Sequence, residues 1–407
     1  MASFNPFFQA LIHFCLPLDR PRTYLRPPCL LLFFFVMKRL LVGVLASCLL
    51  LAACDRDLPP TPVISNNPMR STLDSTVETA MRPYFANARH VGSLIGIYRK
   101  GAVSWYGYGE TKRGSGQLPT MNTLFEIGSV TKPFTAALVL DWLQRHQLPV
   151  DTPIARYLPD YSRRGVASLT FRQLLDYSSG LPEDDAIADL KTAPGYTSAN
   201  PYQHYDSTRV YAYLKNYGVK YPPGTRYTYS NLAFGLAGLI LERMTHTSFE
   251  TLVRERIAAP LELANTGVTL TAGQQSQVAQ GYLETGEPAP RWVSLGGFNG
   301  AGALVSTGSD LMRFGQAQLR SETALEKLFA QTRTLSFVSP EAGREGLGWD
   351  LTSPEFDGVV KTGGTGGFSS LIMVSQARQL VVVVLFNNHE TAAIETAASL
   401  TAALLKQ

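Results

Sequence analysis

Ser129 and Lys132 stand three residues apart in Phe125-Glu-Ile-Gly-Ser129-Val-Thr-Lys132-Pro-Phe-Thr-Ala, at a predicted switch from strand to helix. One helical turn stacks residues at that spacing on the same face. A serine hydroxyl is a poor nucleophile until a base takes its proton, and a nearby amine can be that base or tune it. The helix start adds free N–H groups and positive potential for a developing oxyanion. Alone, the spacing fits a helix-start serine beside an exposed lysine better. It occurs once in this chain, and two further motifs follow it.

Pro222-Pro-Gly-Thr-Arg-Tyr-Thr-Tyr229-Ser-Asn231-Leu-Ala-Phe-Gly carries Tyr229 and Asn231 out of a turn into a Gly/Ala-rich helix. Ionising a free phenol at pH 7 costs roughly 4 kcal/mol. Two neighbouring ammonium groups could supply that stabilisation and make Tyr229 a base; in isolation, a buried structural tyrosine beside a helix cap fits better. Lys361-Thr362-Gly363-Gly364-Thr-Gly-Gly-Phe368 lies between two predicted strands. Thr362 can donate to a carboxylate, Lys361 supplies positive charge, and Gly363 and its neighbours let a substrate backbone lie against a strand edge. A flexible turn is the simpler reading of such glycines, and no Gly-x-x-x-x-Gly-Lys pattern supports a phosphate cradle.

The elements that must hold these residues come from both chain ends. Residues 93–99 and 102–109 read as a hairpin about a Lys100-Gly101 turn, and 358–361, 368–374 and 379–386 as three more strands. The last is apolar and β-branched, which suits a central strand. Helical spacing covers 71–88, 130–147, 170–176, 207–217, 231–245, 248–258, 308–320 and 391–405. The predicted fold class is α/β: an antiparallel sheet built from both ends with flanking helices, and a mainly helical insertion. The α/β part is placed at about 71–128 and 345–407, the helical part at about 129–344, with the cleft between them.

Upstream of residue 71, Met37-Lys38-Arg39 and the apolar run Leu40–Ala53 form a secretory signal. Its end, Leu51-Ala-Ala-Cys54, resembles a bacterial lipoprotein box, which implies a lipid on Cys54. Residues 54–70 then read as the lipidated cysteine and a Pro-rich tether. Residues 1–36 read as a mis-assigned upstream extension. The resemblance implies a periplasmic protein anchored to the membrane, with Asp55 associated with the inner one. All four cysteines fall at or before position 54, so the exported body has no thiol nucleophile, disulfide or thiolate metal site. The chain of 407 residues carries a formal charge of +4, yet five basic residues and one acidic residue lie within 1–54. The remaining body has 31 of each, so nothing in it asks for a nucleic-acid partner. The hydrophobic content of the whole chain, 45%, excludes disorder. Its histidines form no metal-binding spacing and no Gly-x-Ser-x-Gly elbow occurs. Nine of the 18 tyrosines crowd into 196–229, either an aromatic rim for a cell-wall polymer or ordinary packing.

Taken in order, Ser-x-x-Lys, Tyr-x-Asn and Lys-Thr-Gly resemble the penicillin-recognising serine hydrolases, specifically class C β-lactamases and low-molecular-mass penicillin-binding proteins. The resemblance spans about 76–405 and includes Leu169-Thr-Phe-Arg-Gln-Leu-Leu-Asp-Tyr-Ser-Ser-Gly-Leu-Pro. It implies a β-lactamase/transpeptidase-like fold. Ser129 would be the nucleophile, with Lys132 and Tyr229 sharing its proton. Asn231 would hold the substrate amide, and Lys361, Thr362 and Gly363 would bind a β-lactam or a terminal D-alanine. The backbone N–H groups of Ser129 and Gly364 would form the oxyanion hole. No cofactor or metal is implied. The implied substrates are β-lactams or D-alanyl-D-alanine peptides of peptidoglycan, with a carboxylesterase on the same scaffold as the alternative.

Overall fold

The structure, a computed structural model, describes residues 63–407 apart from 159, 161–164, 188 and 341. The extension 1–36, the signal 37–53 and Cys54 lie outside the described residues. The end of the expected tether does not run free. Gly109 N–H donates to the Ile64 carbonyl (2.8 Å) and Asn66 N–H to that of Gly107 (3.3 Å), so this segment lies along a strand edge.

The strands are β1 (Gly92–Arg99), β2 (Ala102–Gly109), β3 (Leu124–Glu126), β4 (Val305–Thr307), β5 (Phe337–Ser339), β6 (Gly343–Glu345), β7 (Asp350–Leu351), β8 (Gly358–Gly364), β9 (Ser369–Ser375) and β10 (Leu380–Phe386). Eight of them form one antiparallel sheet in the order β2-β1-β10-β9-β8-β7-β6-β5. The five strands expected from both ends of the chain make up its larger half. Strands β5 to β7 extend it and move the start of its C-terminal portion from 345 to Phe337. They are two or three residues long, too short to show an alternating pattern.

β10 carries the core because it is apolar at every position, as a strand buried on both faces must be. Its even residues, Val382 and Val384 among them, pack with Val77 and Met81 of helix α1 (Thr72–Tyr84) and with Ala393 and Ala397 of the C-terminal helix. Its odd residues, Val381, Val383 and Leu385, face the larger core that holds the remaining helices. Among these are α2 (Thr131–Arg145), α3 (Phe171–Leu175), α4 (Ser207–Asn216), α5 (Asn231–Thr245), α6 (Gly308–Gln318) and α7 (Ala324–Thr332); the C-terminal helix on the opposite face is α8 (Thr391–Leu405). Helix α6 packs directly on β10, β1 and β9, so it covers the sheet although it falls in the stretch expected to be the helical insertion. Strands β3 and β4 form a separate small pair.

Helix α2 is buried on all sides from Thr131 to Leu140, the signature of a helix running through a core rather than over one. Phe134 stacks on Phe314 at 4.0 Å between ring centroids, which anchors it to α6. The turn ahead of it is set by Gly128, whose φ of +48° lies in the left-handed region. A Cβ at Gly128 would come within 2.6 Å of Gly364 N, and one at Gly363 within 2.1 Å of the Ile127 carbonyl oxygen and 2.9 Å of Ser129 N. The backbone that carries Ser129 therefore rests directly on β8. Gly128→Ala is expected to lower the denaturant midpoint by the equivalent of about 1–3 kcal/mol. Gly273→Ala, where the new methyl meets nothing within 4 Å, should stay within about 0.5 kcal/mol of wild type. Equal midpoints for the two variants would contradict this account of the turn.

Candidate active site

Ser129 lies in a single 3-10 turn, Gly128–Val130, that feeds α2. Its position at the start of that turn leaves the leading N–H groups without partners inside the helix. One turn on, Lys132 is fully buried, and its Nζ donates to Ser129 Oγ (2.8 Å), Asn231 Oδ1 (2.6 Å) and the Ala301 carbonyl (2.9 Å). Those three acceptors use all three ammonium donors. Tyr229 Oη stands 2.7 Å from the same Ser129 Oγ. It arrives from the turn before α5, which Ser230 caps by accepting from Ala233 N.

Lys361 occupies β8 with Thr362 and Gly363. Strand alternation sends Lys361 inward, 2% exposed, while Thr362 faces outward. The Lys361 ammonium is ion-paired with Asp350 of β7 (3.2 Å) and lies 5.2 Å from the Tyr229 ring centre and 5.0 Å from that of Tyr177. Tyr177 stacks on Tyr229 at 5.2 Å. Thr362, Gly363 and Gly364 line a cleft of about 260 Å³ together with Ser129, Tyr229 and His389. The structure thus brings Ser129, Lys132, Tyr229, Asn231 and the Lys361–Gly364 strand to one place.

Two placements differ from the expectation. Lys361 is paired inside the protein with Asp350 instead of standing open to a substrate carboxylate. Asn231, expected to hold a substrate amide, has both ends of its own amide occupied: Oδ1 by Lys132, and Nδ2 by Asp184 (2.6 Å) and the Tyr202 hydroxyl (3.3 Å). Asp184 Oδ2 also accepts from the Tyr202 hydroxyl. Asp184, Asp350 and Glu345 are residues that motif reading missed; Tyr202 stood among the crowded tyrosines and Tyr177 within the Leu169–Pro182 stretch, neither with a role of its own. Asp184 sits two residues beyond the Leu169–Pro182 stretch, which could have drawn attention to it. Of the crowded tyrosines, Tyr196, Tyr202 and Tyr229 line a second cleft of about 490 Å³, while Tyr205 and Tyr213 are buried as packing.

The electrostatics follow from this crowding. Burial presses the Lys132 ammonium below its ordinary range, and the nearby Lys361 charge adds to that, against the pull of Tyr229. Burial alone would raise the Tyr229 phenol, but Lys132, then Lys361, and the hydrogen bond to Ser129 together bring it below its usual value. The two ammonium groups lie 4.9 Å and 5.2 Å from the Tyr229 ring centre, and their combined attraction outweighs the desolvation of the phenolate. Lysine and tyrosine both move downward, and because their charges act on each other so closely the two titrate as a pair. Lys361 moves the opposite way: burial lowers it, but Asp350, Tyr229 and Glu345 outweigh burial and raise it. Behind Asp350, the fully buried Glu345 faces it across the β6–β7 pair. Burial first, and the Asp350 charge second, hold the Glu345 carboxyl well above the carboxylate range.

Several known proteins resemble this chain. Residues 73–406 match the family described as Beta-lactamase. A β-lactamase of Pseudomonas fluorescens is 27% identical over 357 residues, covering 79% of this chain and 94% of that one. A β-lactamase/D-alanine carboxypeptidase from Pseudomonas syringae superposes with a TM-score of 0.69 at 24% identity, across 82% of this chain and 99% of its own. A D-alanine carboxypeptidase from Burkholderia cenocepacia gives 0.68 at 25% identity, across 81% and 99%.

Glu345 makes a measurable prediction. Its raised value means the folded protein holds a proton that an unfolded glutamate releases above about pH 4.3. Its contribution is therefore full below that pH and declines as pH rises toward the folded value. Glu345→Gln keeps the shape and removes the titration. The variant's denaturant midpoint should fall less than that of wild type between pH 5 and pH 8. Parallel pH profiles would show that Glu345 is ionised in the fold.

Proposed function

The chain belongs to the β-lactamase family, and from that premise we propose that it is an exported enzyme acylated on Ser129 by β-lactams and by D-alanyl-D-alanine peptides of peptidoglycan. It is a serine hydrolase with the β-lactamase/transpeptidase-like fold. The observation that carries the proposal is the double contact at Ser129 Oγ, with Lys132 Nζ at 2.8 Å and Tyr229 Oη at 2.7 Å. With all three donors of the Lys132 ammonium already placed, the Ser129 proton has Tyr229 Oη as its outlet. Tyr229 then acts as the general base, and Lys132 and Lys361 stabilise the phenolate that makes it one. The same proton passes from Tyr229 to the leaving nitrogen as the acyl bond forms. Ser129 N–H and Gly364 N–H serve the oxyanion, where one donor is typically worth about 2.7–4 kcal/mol of barrier. Thr362 and Gly363 hold the substrate's carboxylate end along β8, with Lys361 adding field from beneath.

Whether water then frees the enzyme quickly decides between β-lactamase and penicillin-binding behaviour. Rapid turnover of the penicilloyl adduct identifies the first, and a long-lived adduct the second. A carboxylesterase on the same scaffold is the second reading, favoured by the internal pairing of Lys361 with Asp350. Turnover of short acyl esters with no penicillin acylation would select it. The Leu-Ala-Ala-Cys54 ending supports a lipid anchor and a periplasmic location, most simply at the inner membrane. Metabolic labelling with radioactive palmitate should mark the wild type and leave Cys54→Ala unlabelled.

A fluorescent penicillin should label the wild type and not Ser129→Ala. Tyr229→Phe should slow acylation about 10²–10⁴-fold, the range of a lost general base. The rate should rise with pH through an apparent pKa below 10, as the Tyr229 phenol gives up its proton while the Lys132 ammonium keeps its own. Lys361→Ala removes a cation that favours the phenolate, so its acid limb should move to higher pH. Labelling that persists in Ser129→Ala would exclude this mechanism.

A further inference from the structure

The cleft of about 490 Å³ beside Tyr229 and Asn231 is lined by three carboxylates, Glu183, Asp184 and Asp185. Among the described residues lining it, Lys191 supplies a cation, and that is ion-paired with Asp185 at 3.0 Å. Asp184 is the member that reaches Lys132, through Asn231. Its Oδ2 accepts from Asn231 Nδ2 and from the Tyr202 hydroxyl. Its Oδ1 is buried and has no hydrogen-bond partner. A buried carboxylate oxygen left without a donor is costly, and a donor brought by a ligand removes that cost. Asn231, meanwhile, has no donor left for an incoming carbonyl, because both of its amide hydrogens are directed at Asp184 and Tyr202. This wall of the site therefore presents an acceptor where an amide-binding wall would present a donor.

We infer that Asp184 is a specificity-determining residue that selects acyl donors carrying a primary ammonium group near the reacting carbonyl. The inference rests on the proposed acylation of Ser129 and names the substrate class for it. Two positions of the ammonium are chemically possible: the α-amine of the acyl residue itself, or an amine on the side chain of the residue before it. The unpartnered Oδ1 receives the N–H, and the remaining carboxylates of the cleft add attraction without direct contact. A neutral or acylated amine gains neither.

Paired substrates that differ only in that amine test the inference. D-Alanyl-D-alanine and its N-acetyl derivative differ in whether the α-amine of the acyl residue is free or acylated. Acetyl-lysyl-D-alanyl-D-alanine with its ε-amine free, against the same peptide with that amine acetylated, places the charge one residue further out. The wild type should prefer the amine-bearing member of at least one pair by about tenfold in the second-order acylation constant, which corresponds to about 1.4 kcal/mol. The pair that shows the preference identifies the position of the ammonium. Asp184→Asn should bring that ratio close to one. Ratios within twofold of one in the wild type for both pairs, or a loss in Asp184→Asn that is the same for both members, would overturn the inference.

A binding measurement keeps this separate from the proposed reaction. Ser129→Ala titrated calorimetrically with D-alanyl-D-alanine and with its N-acetyl derivative, and with the two lysyl peptides, reads the same selectivity without acylation. A preference for the amine there upholds the role of Asp184 even if no penicillin labels the enzyme. Equal affinities within both pairs refute it even if penicillin does.

Discussion

A lysine ammonium with no exposure to solvent is the constraint around which the catalytic half of this molecule is arranged. Moving such an ion out of water costs several kcal/mol even after relaxation, unless every donor finds an acceptor. Lys132 finds three, from the turn that precedes its own helix, from α5 and from the backbone at Ala301. Three separate stretches of chain must converge to a few tenths of an ångström for that to hold. Ser129 and Asn231 are thus fixed by the same requirement that makes Lys132 tolerable, and Tyr229 stands two residues before that asparagine.

The second cation is managed differently. Lys361 is neutralised by Asp350, and burial together with the Asp350 charge holds the Glu345 carboxyl well above its usual range, which disfavours a second negative charge there. Two ammonium groups flank one phenol, and Asp350 supplies the counter-charge of Lys361. Tyr229 therefore feels attraction from both cations at about 5 Å. This separation lets a phenol with an ordinary pKa near 10 serve as a base without an imidazole. It also explains why Lys361 lies beneath the strand: exposed to water, it would act on Tyr229 through a much higher dielectric.

The residues proposed to react were legible because each motif is local. One helical turn joins Ser129 to Lys132, one turn-to-helix step joins Tyr229 to Asn231, and one strand carries Lys361 to Gly364. The central strand was equally plain, since Leu380–Phe386 has no polar residue to suggest an exposed face. What escaped was supplied by single side chains from irregular segments. Asp184 follows a loop with no periodicity, Asp350 lies on a two-residue strand, and Glu345 on a three-residue one. The direction of Lys361 was available in principle, because alternation along β8 sets it opposite to Thr362. Which face was inward depended on the contact of Gly363 with Ile127, a long-range fact. The occupied amide of Asn231 depended likewise on Asp184 and Tyr202, from two other segments.

Recognition and base tuning share a wire in this site. Asp184 reaches Asn231 at 2.6 Å, and Asn231 reaches Lys132 at 2.6 Å, so the wall of the acyl cleft is two hydrogen bonds from the ammonium that steadies the phenolate. A charge placed against Asp184 changes the field at Lys132 as well as the affinity of the cleft. Only interactions stronger in the transition state than in the ground state accelerate the chemical step. An ammonium held at Asp184 lessens the pull of that carboxylate on Lys132, which leaves the lysine charge more available to Tyr229 as it takes the Ser129 proton. Binding energy from a part of the substrate that does not react can in this way reach the step that does.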